Sequence, residues 1–311
     1  MNPSVNPYTP FPGVAPAYLA GRGGDTKYVE GAFGQVASGR IGMHPIFIGE
    51  PGVGKTTMLT YAVGLAKKEG WMVLSVEAKS GYSVVDNLLD EVKSLVEGPF
   101  QNSPAVQRIK SWLGRVQSVQ LSVMGSGAGL ALAPAKTTPP VTQLFKELAG
   151  LATERHTKVV FSVDEMDKLS TTEMQLVLGV MHTANQFQMP LVIVGAGGES
   201  MRKEMAAAKG YGANIMLTKL QPLNYEEMAD ALVRPATALG VAVDPAAVKQ
   251  ISEAAKGNPF QLQLLSYHAW NFSKDKTIDL EAAIQAQSEV AFDAQQLDST
   301  GVEEYAGVGG V

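Results

Sequence analysis

The sequence predicts an α/β fold in which a parallel five-stranded sheet covered by helices is followed by a separate helical module. Strand-like apolar runs alternate with helical patterns from residue 46 to residue 218, and strand signals stop after Leu220 while helix starts continue. A glycine-rich turn joins the first apolar run to the first helix. Such alternation is what helical crossovers between parallel strands produce.

The expected strands are 46–48, 72–76, 159–163, 191–194 and 215–217. Helices are expected at 55–68, 84–96, 141–154 and 172–186, the last opened by a capping box from Ser170 to Glu173. Around 116–135, Val119, Leu121 and Val123 alternate with polar residues, a turn follows at 125–129, and Leu130 and Leu132 alternate with alanine. That pattern reads as an inserted β-hairpin, either an edge that only packs or a partner-binding element. Beyond Leu220, helices start at Asn224, with Glu227 at capping-box spacing, and at Asp244, with Pro245 in the first turn. Two more are expected over 260–272 and from Leu280. The resulting organisation is an N-terminal extension over 1–15, a core over 16–220, a helical module over 221–298 and a flexible tail over 299–311.

At 311 residues, 45% hydrophobic and 18% charged, the chain has material for a full α/β domain and a smaller module. It contains no cysteine and four scattered histidines, which excludes disulfides, thiolate nucleophiles and the usual zinc spacings. Any metal must sit on oxygen ligands. The first residues lack a basic stretch followed by an apolar core, so no secretory signal is expected and a cytoplasmic location is. The longest uncharged stretch, 116–135, is broken by Gln117, Gln120, Ser122 and a glycine-rich turn, so no membrane span is expected. A net charge of −5 gives no broad footprint for nucleic acid.

The run Gly49-Glu50-Pro51-Gly52-Val53-Gly54-Lys55-Thr56 satisfies GxxxxGK[ST] between an apolar strand and a helix. Its glycines let backbone N–H groups turn inward on phosphates, at the positive end of the following helix. Lys55 then supplies a charge to the β- and γ-phosphates, the Thr56 hydroxyl ligates Mg²⁺, and Thr57 reaches the α-phosphate. The strand 159–163 delivers Asp164 and Glu165 at its carboxyl edge. Asp164 is expected to hold Mg²⁺ through water and Glu165 to polarise the attacking water, so ATP and Mg²⁺ are the expected ligands. Asp167 and Lys168 read as solvated loop residues, and His44, His156 and His182 as packing or surface groups.

These motifs resemble the AAA+ superfamily, specifically its initiator-like, origin-recognition-like branch that shades into the STAND ATPases. Tyr18-Leu19-Ala20-Gly21-Arg22, the P-loop, Asp164-Glu165, the strand 191–197 and Gly257-Asn258-Pro259 carry the resemblance jointly. It implies a P-loop NTPase three-layer core with sheet order 5-1-4-3-2, a helical module that serves as a lid, and Tyr18 and Arg22 near the adenine. Arg22 reads equally well as a solvated turn residue.

The chain also departs from that pattern. Gly195 and Ala196 stand where the fourth strand usually ends in a polar sensor, and Phe260 follows Pro259 where the lid usually carries an arginine. Asn214 falls near the usual position of an arginine finger, with Arg202 the nearest substitute. The winged helix of many relatives is not expected. The resemblance implies a slow ATP hydrolase acting as a switch or assembly factor, with a homo-oligomer or protein partner supplying the finger. Alternatives are a DNA-associated ATPase similar to replication initiators or transposition helpers, and a small-molecule kinase.

Overall fold

The structure is a computed structural model, and it describes residues 1–11, 13–97, 103–125, 141–208 and 215–300. Five parallel strands form one sheet in the order β2-β3-β4-β1-β5: β1 Ile46–Ile48, β2 Met72–Glu77, β3 Val159–Asp164, β4 Leu191–Gly197 and β5 Leu217–Lys219. This is the expected order read from the other edge. β1 and β4 are buried along their whole length and β3 up to Asp164, as the apolar runs require of strands covered on both faces. In register, Val159 lies opposite Met72 on one side and Leu191 on the other. The fifth strand starts two residues later than the expected 215–217.

By packing, the chain divides into two compact units. One comprises Met1–Tyr28, Phe47–Tyr61 and Thr218–Val311; the other comprises Val29–Ile46 and Ala62–Leu217.

The second unit carries the larger part of α1 Gly23–Ala37, then β2, β3, β4 and most of the helices around the sheet: α3 Val84–Glu97, α4 Pro104–Gly125, α5 Val141–Glu154, α6 Thr171–Gln186 and the short α7 Met201–Ala207. Val84, Leu88, Leu89, Val92 and Val96 of α3 are buried at helical spacing. The Ser170–Glu173 capping box that opens α6 is present in both directions. Glu173 also accepts the Val84 N–H at 2.8 Å, so one carboxylate caps two helices. The hairpin expectation is corrected here: residues 119–123 lie inside α4. Alternation over five residues is also compatible with the three- and four-residue spacing of Ile109, Trp112, Leu113 and Val116, and the helix already running through the buried Ile109 and Trp112 continues. Residues 126–135, the rest of that expected hairpin, lie outside the described residues, as do Asn214 and the tail from 301.

The first unit contains α8 Tyr225–Ala238, α9 Pro245–Ala255, α10 Pro259–Phe272, α11 Leu280–Thr300 and a two-residue parallel pair, β6 Ala242–Val243 with β7 Thr277–Ile278. Leu232, Ala236, Ile251, Leu262, Ala269 and Trp270 form its core, and Tyr8 from the N-terminal segment is buried among them. Tyr8 packs edge-on against Trp270, and its hydroxyl donates to the Leu232 carbonyl at 2.5 Å. The Met1 ammonium donates to Ser273 O, and Asn6 Nδ2 to Tyr267 O. The residues read as an extension are thus a strap on the helical module. They have no period because they are bound one contact at a time.

His44, which precedes β1, is 8% exposed, and its Nδ1 accepts the Ile193 N–H at 3.1 Å, fastening the start of β1 to β4 within the second unit. Burial lowers its pKa from 6.5 to about 4, against opposing contacts with Met181 and Asn185. Because the folded value lies below the unfolded one, the neutral imidazole stabilises the fold above pH 6.5. That contribution, about 3 kcal/mol, is lost as pH falls from 6.5 towards 4. Denaturation midpoints measured across this range should fall steeply in the wild type. They should fall less in His44→Asn, which keeps an acceptor for Ile193 but does not titrate there.

Candidate functional site

β1 ends in a loop that turns directly into α2 Lys55–Lys68, the strand–loop–helix context the motif requires. Gly52 and Gly54 have φ of +77° and +98°, a region that disfavours any side chain. A Cβ at Gly52 would also come within 2.6 Å of Asn258 Oδ1. Lys55 Nζ curls over the loop and donates to the Gly49 and Glu50 carbonyls, each at 3.0 Å. Val53 N–H closes a turn on Glu50 O at 3.3 Å, and Val53 itself is buried. Thr56 and Thr57 are half-buried in the first turn of α2.

Arg22 belongs to the same unit and is 6% exposed, so it is not a solvated turn residue. Its Nη2 donates to Val53 O at 2.8 Å and to Gln221 O at 2.9 Å, tying the loop to the chain that enters the helical module. Burial lowers its pKa, while Asp25 and Glu227 oppose the shift. Tyr18 is half-buried against the core of the helical module, with the Arg234 guanidinium 4.9 Å from its ring centre.

The Gly257-Asn258-Pro259 motif also reaches the loop. Asn258 caps α10, its Oδ1 accepting the N–H groups of Phe260 and Gln261, while its Nδ2 donates to Pro51 O at 3.1 Å. Phe260 N–H donates to Gly52 O at 3.2 Å. Gly257, at φ +80°, has no room for a Cβ beside Leu223 O and Pro222. The sequence marks this motif but not its contact with the loop. The available signal was a cap residue with both a donor and an acceptor.

Asp164 and Glu165 lie in the second unit, at the carboxyl end of β3. Asp164 Oδ1 accepts the Glu165 N–H at 2.8 Å. Glu165 is left-handed, with φ 53°, and begins a 3-10 turn over Met166–Lys168. Lys168 Nζ lies 3.2 Å from Glu165 Oε2. Asp167, read as solvated, instead accepts the Gly198 N–H at 2.6 Å and fastens this turn to the end of β4. Arg202 is exposed at the start of α7, and His156 and His182 are exposed. Among the described residues no cluster of three His, Cys, Asp or Glu could hold a metal. Among them too, no helix is long and apolar enough to cross a membrane.

A family model described as an AAA ATPase domain matches residues 18–194. A Walker-type ATPase of Pyrococcus abyssi superposes with a TM-score of 0.59 at 17% identity, over 91% of this chain and 75% of its own. Cdc6p of Pyrobaculum aerophilum gives 0.56 at 14%, over 95% and 71%, and the Aeropyrum pernix ORC1 protein, solved in complex with DNA, gives 0.54 at 15%, over 91% and 69%. At these identities the likeness shows a shared fold. No curated protein sequence matches the chain.

The end of β4 has no space for the polar residue that the resemblance leads one to expect. A Cβ at Gly195 would lie 2.2 Å from Met166 Sδ and 2.8 Å from Ile46 Cδ1. Gly195→Asn should therefore destabilise the protein by about 1–3 kcal/mol through overpacking, and should not raise turnover. Denaturant titration beside an ATPase assay checks both outcomes.

Proposed function

Because the chain belongs to the AAA ATPase domain family, we propose that it is an ATP hydrolase working as a nucleotide-dependent switch or assembly factor. The observation that carries this reading is the loop after β1, where left-handed Gly52 and Gly54 and the charge of Lys55 meet at the start of a helix. Such a loop suits polyphosphate. The Thr56 hydroxyl and the Asp164 carboxylate are hard oxygen donors of the kind Mg²⁺ takes alongside substrate phosphates. When bound, that ion neutralises charge on the β- and γ-phosphates.

In this proposal the backbone N–H groups of the loop hold the phosphates, Lys55 covers the β- and γ-phosphates and Thr57 reaches the α-phosphate. Tyr18 and the half-buried surface around it face the base. Glu165 accepts the proton of the water that attacks the γ-phosphorus, as the bond to ADP breaks and phosphate leaves. The ion pair with Lys168 and the bond to Asp164 support its left-handed backbone. The residues from 221 to 298 then act as a lid.

Fast hydrolysis also needs positive charge on the γ-oxygens, and an arginine finger in comparable sites raises the rate about 10³- to 10⁵-fold. Phe260 stands at the lid position and Gly195 at the end of β4, while Arg202 is exposed on α7. We place the finger on Arg202 of a neighbouring copy, so that the isolated chain dwells with ATP bound.

Lys55→Ala should weaken Mg·ATP binding at least about tenfold in calorimetry, since it removes a charge-assisted contact. Glu165→Gln should leave binding intact and lower turnover; normal turnover in that variant removes Glu165 from the chemistry. Specific ATPase activity should climb steeply over a hundredfold rise in protein concentration, and Arg202→Ala should flatten the climb. Fast turnover that persists at high dilution contradicts the shared finger.

A further inference from the structure

We infer that Asn258 and Arg22 are positioning residues that hold the P-loop in its phosphate-binding conformation from the carbonyl side, an inference that rests on the phosphate-binding reading of that loop. A trans peptide group carries its C=O and the next residue's N–H on opposite sides of one plane, and no cis bond occurs among the described residues. Fixing a carbonyl therefore aims the following N–H the other way.

Three consecutive carbonyls of the loop are fixed by groups outside it. Asn258 Nδ2 holds Pro51 O, Phe260 N–H holds Gly52 O, and Arg22 Nη2 holds Val53 O. The N–H groups of Gly52, Val53 and Gly54 consequently point away from these donors, that of Val53 in a long 3.3 Å contact with Glu50 O inside the loop. Asn258 alone links the first two contacts. The acceptor half of its side chain caps α10 and so places the Phe260 N–H, while the donor half takes Pro51 O. Its amide also takes the space beside Gly52, where a Cβ would be 2.6 Å from Oδ1 and 2.8 Å from Nδ2.

Arg22 does the equivalent work at the next peptide. A guanidinium can take two carbonyls at once, and being 6% exposed it does so with little competition from water. Neither side chain needs to touch nucleotide. Their contribution is to order the loop beforehand, so that binding does not have to.

The two halves of Asn258 can be separated. Serine retains a cap acceptor for α10 but has no donor that reaches Pro51 O. Backbone N–H groups of such loops cradle the α- and β-phosphates, which ADP and ATP share. In calorimetry on the full chain, Asn258→Ser should weaken Mg·ADP and Mg·ATP equally, about five- to tenfold. The melting temperature without nucleotide should stay at the wild-type value. If the serine variant melts early, Asn258→Asp, an equally good cap with no donor to offer, takes its place. Lys55→Ala runs alongside as the reference for loss of phosphate binding. Wild-type affinity for both nucleotides in a folded Asn258 variant, with binding lost in Lys55→Ala, overturns the inference and leaves the functional reading standing. Weakening of ATP alone overturns it in favour of a group that reads the γ-phosphate. Absence of binding in the wild type overturns the functional reading and the inference together.

Discussion

A peptide group cannot offer its N–H to an anion without sending a carbonyl the other way, and a loop that offers several must find donors for several carbonyls. In this chain every carbonyl from Gly49 to Val53 has one. Lys55 takes the first two, Asn258 and the Phe260 N–H the next two, and Arg22 the fifth. The last three come from outside the loop, which ties its shape to the packing of the first unit. Within that unit, Leu223 N–H bonds Gly257 O just before the cap, so the chain entering the helical region and the turn between α9 and α10 meet beside the loop. The N-terminal strap adds Tyr8 to the same core.

The second unit uses close packing for a similar end. β4 finishes in Gly195-Ala196-Gly197 and Gly198 follows it, and the side chains that the glycines lack are what allow Met166 and Asp167 to sit against the end of the strand. Asp167 then holds the 3-10 turn in place, and that turn begins at Glu165 in a left-handed conformation that costs a non-glycine residue about 1 kcal/mol or more. A bulkier end to β4 would displace the turn. The absent polar residue and the placement of Glu165 are thus one feature of the packing.

Local features were legible in the sequence. The P-loop, both capping boxes, the Asp244-Pro245 helix start and the runs that became β1 to β4 depend on residues near one another in the chain, and there the expectations hold. Five residues of alternation at 119–123 proved weaker evidence, because a helix can absorb them. Contacts across sequence could not be read. Arg22 looked like a residue in a glycine-rich turn because nothing near it reveals the Val53 and Gln221 carbonyls. Tyr8 lies 224 residues from its acceptor. Asn258 was visible as part of a motif, yet its second bond depends on where Pro51 lies in space.

If Asn258 and Arg22 hold the loop from its carbonyl side, it is already ordered before nucleotide arrives. Backbone ¹⁵N relaxation of the nucleotide-free full chain reads that order at Gly52, Val53 and Gly54. Order parameters of about 0.85 are expected there, equal to those along α2 and unchanged by Mg·ATP. Values below about 0.6 that rise when Mg·ATP is added would show that the ligand, and not Asn258 and Arg22, sets the shape of the loop.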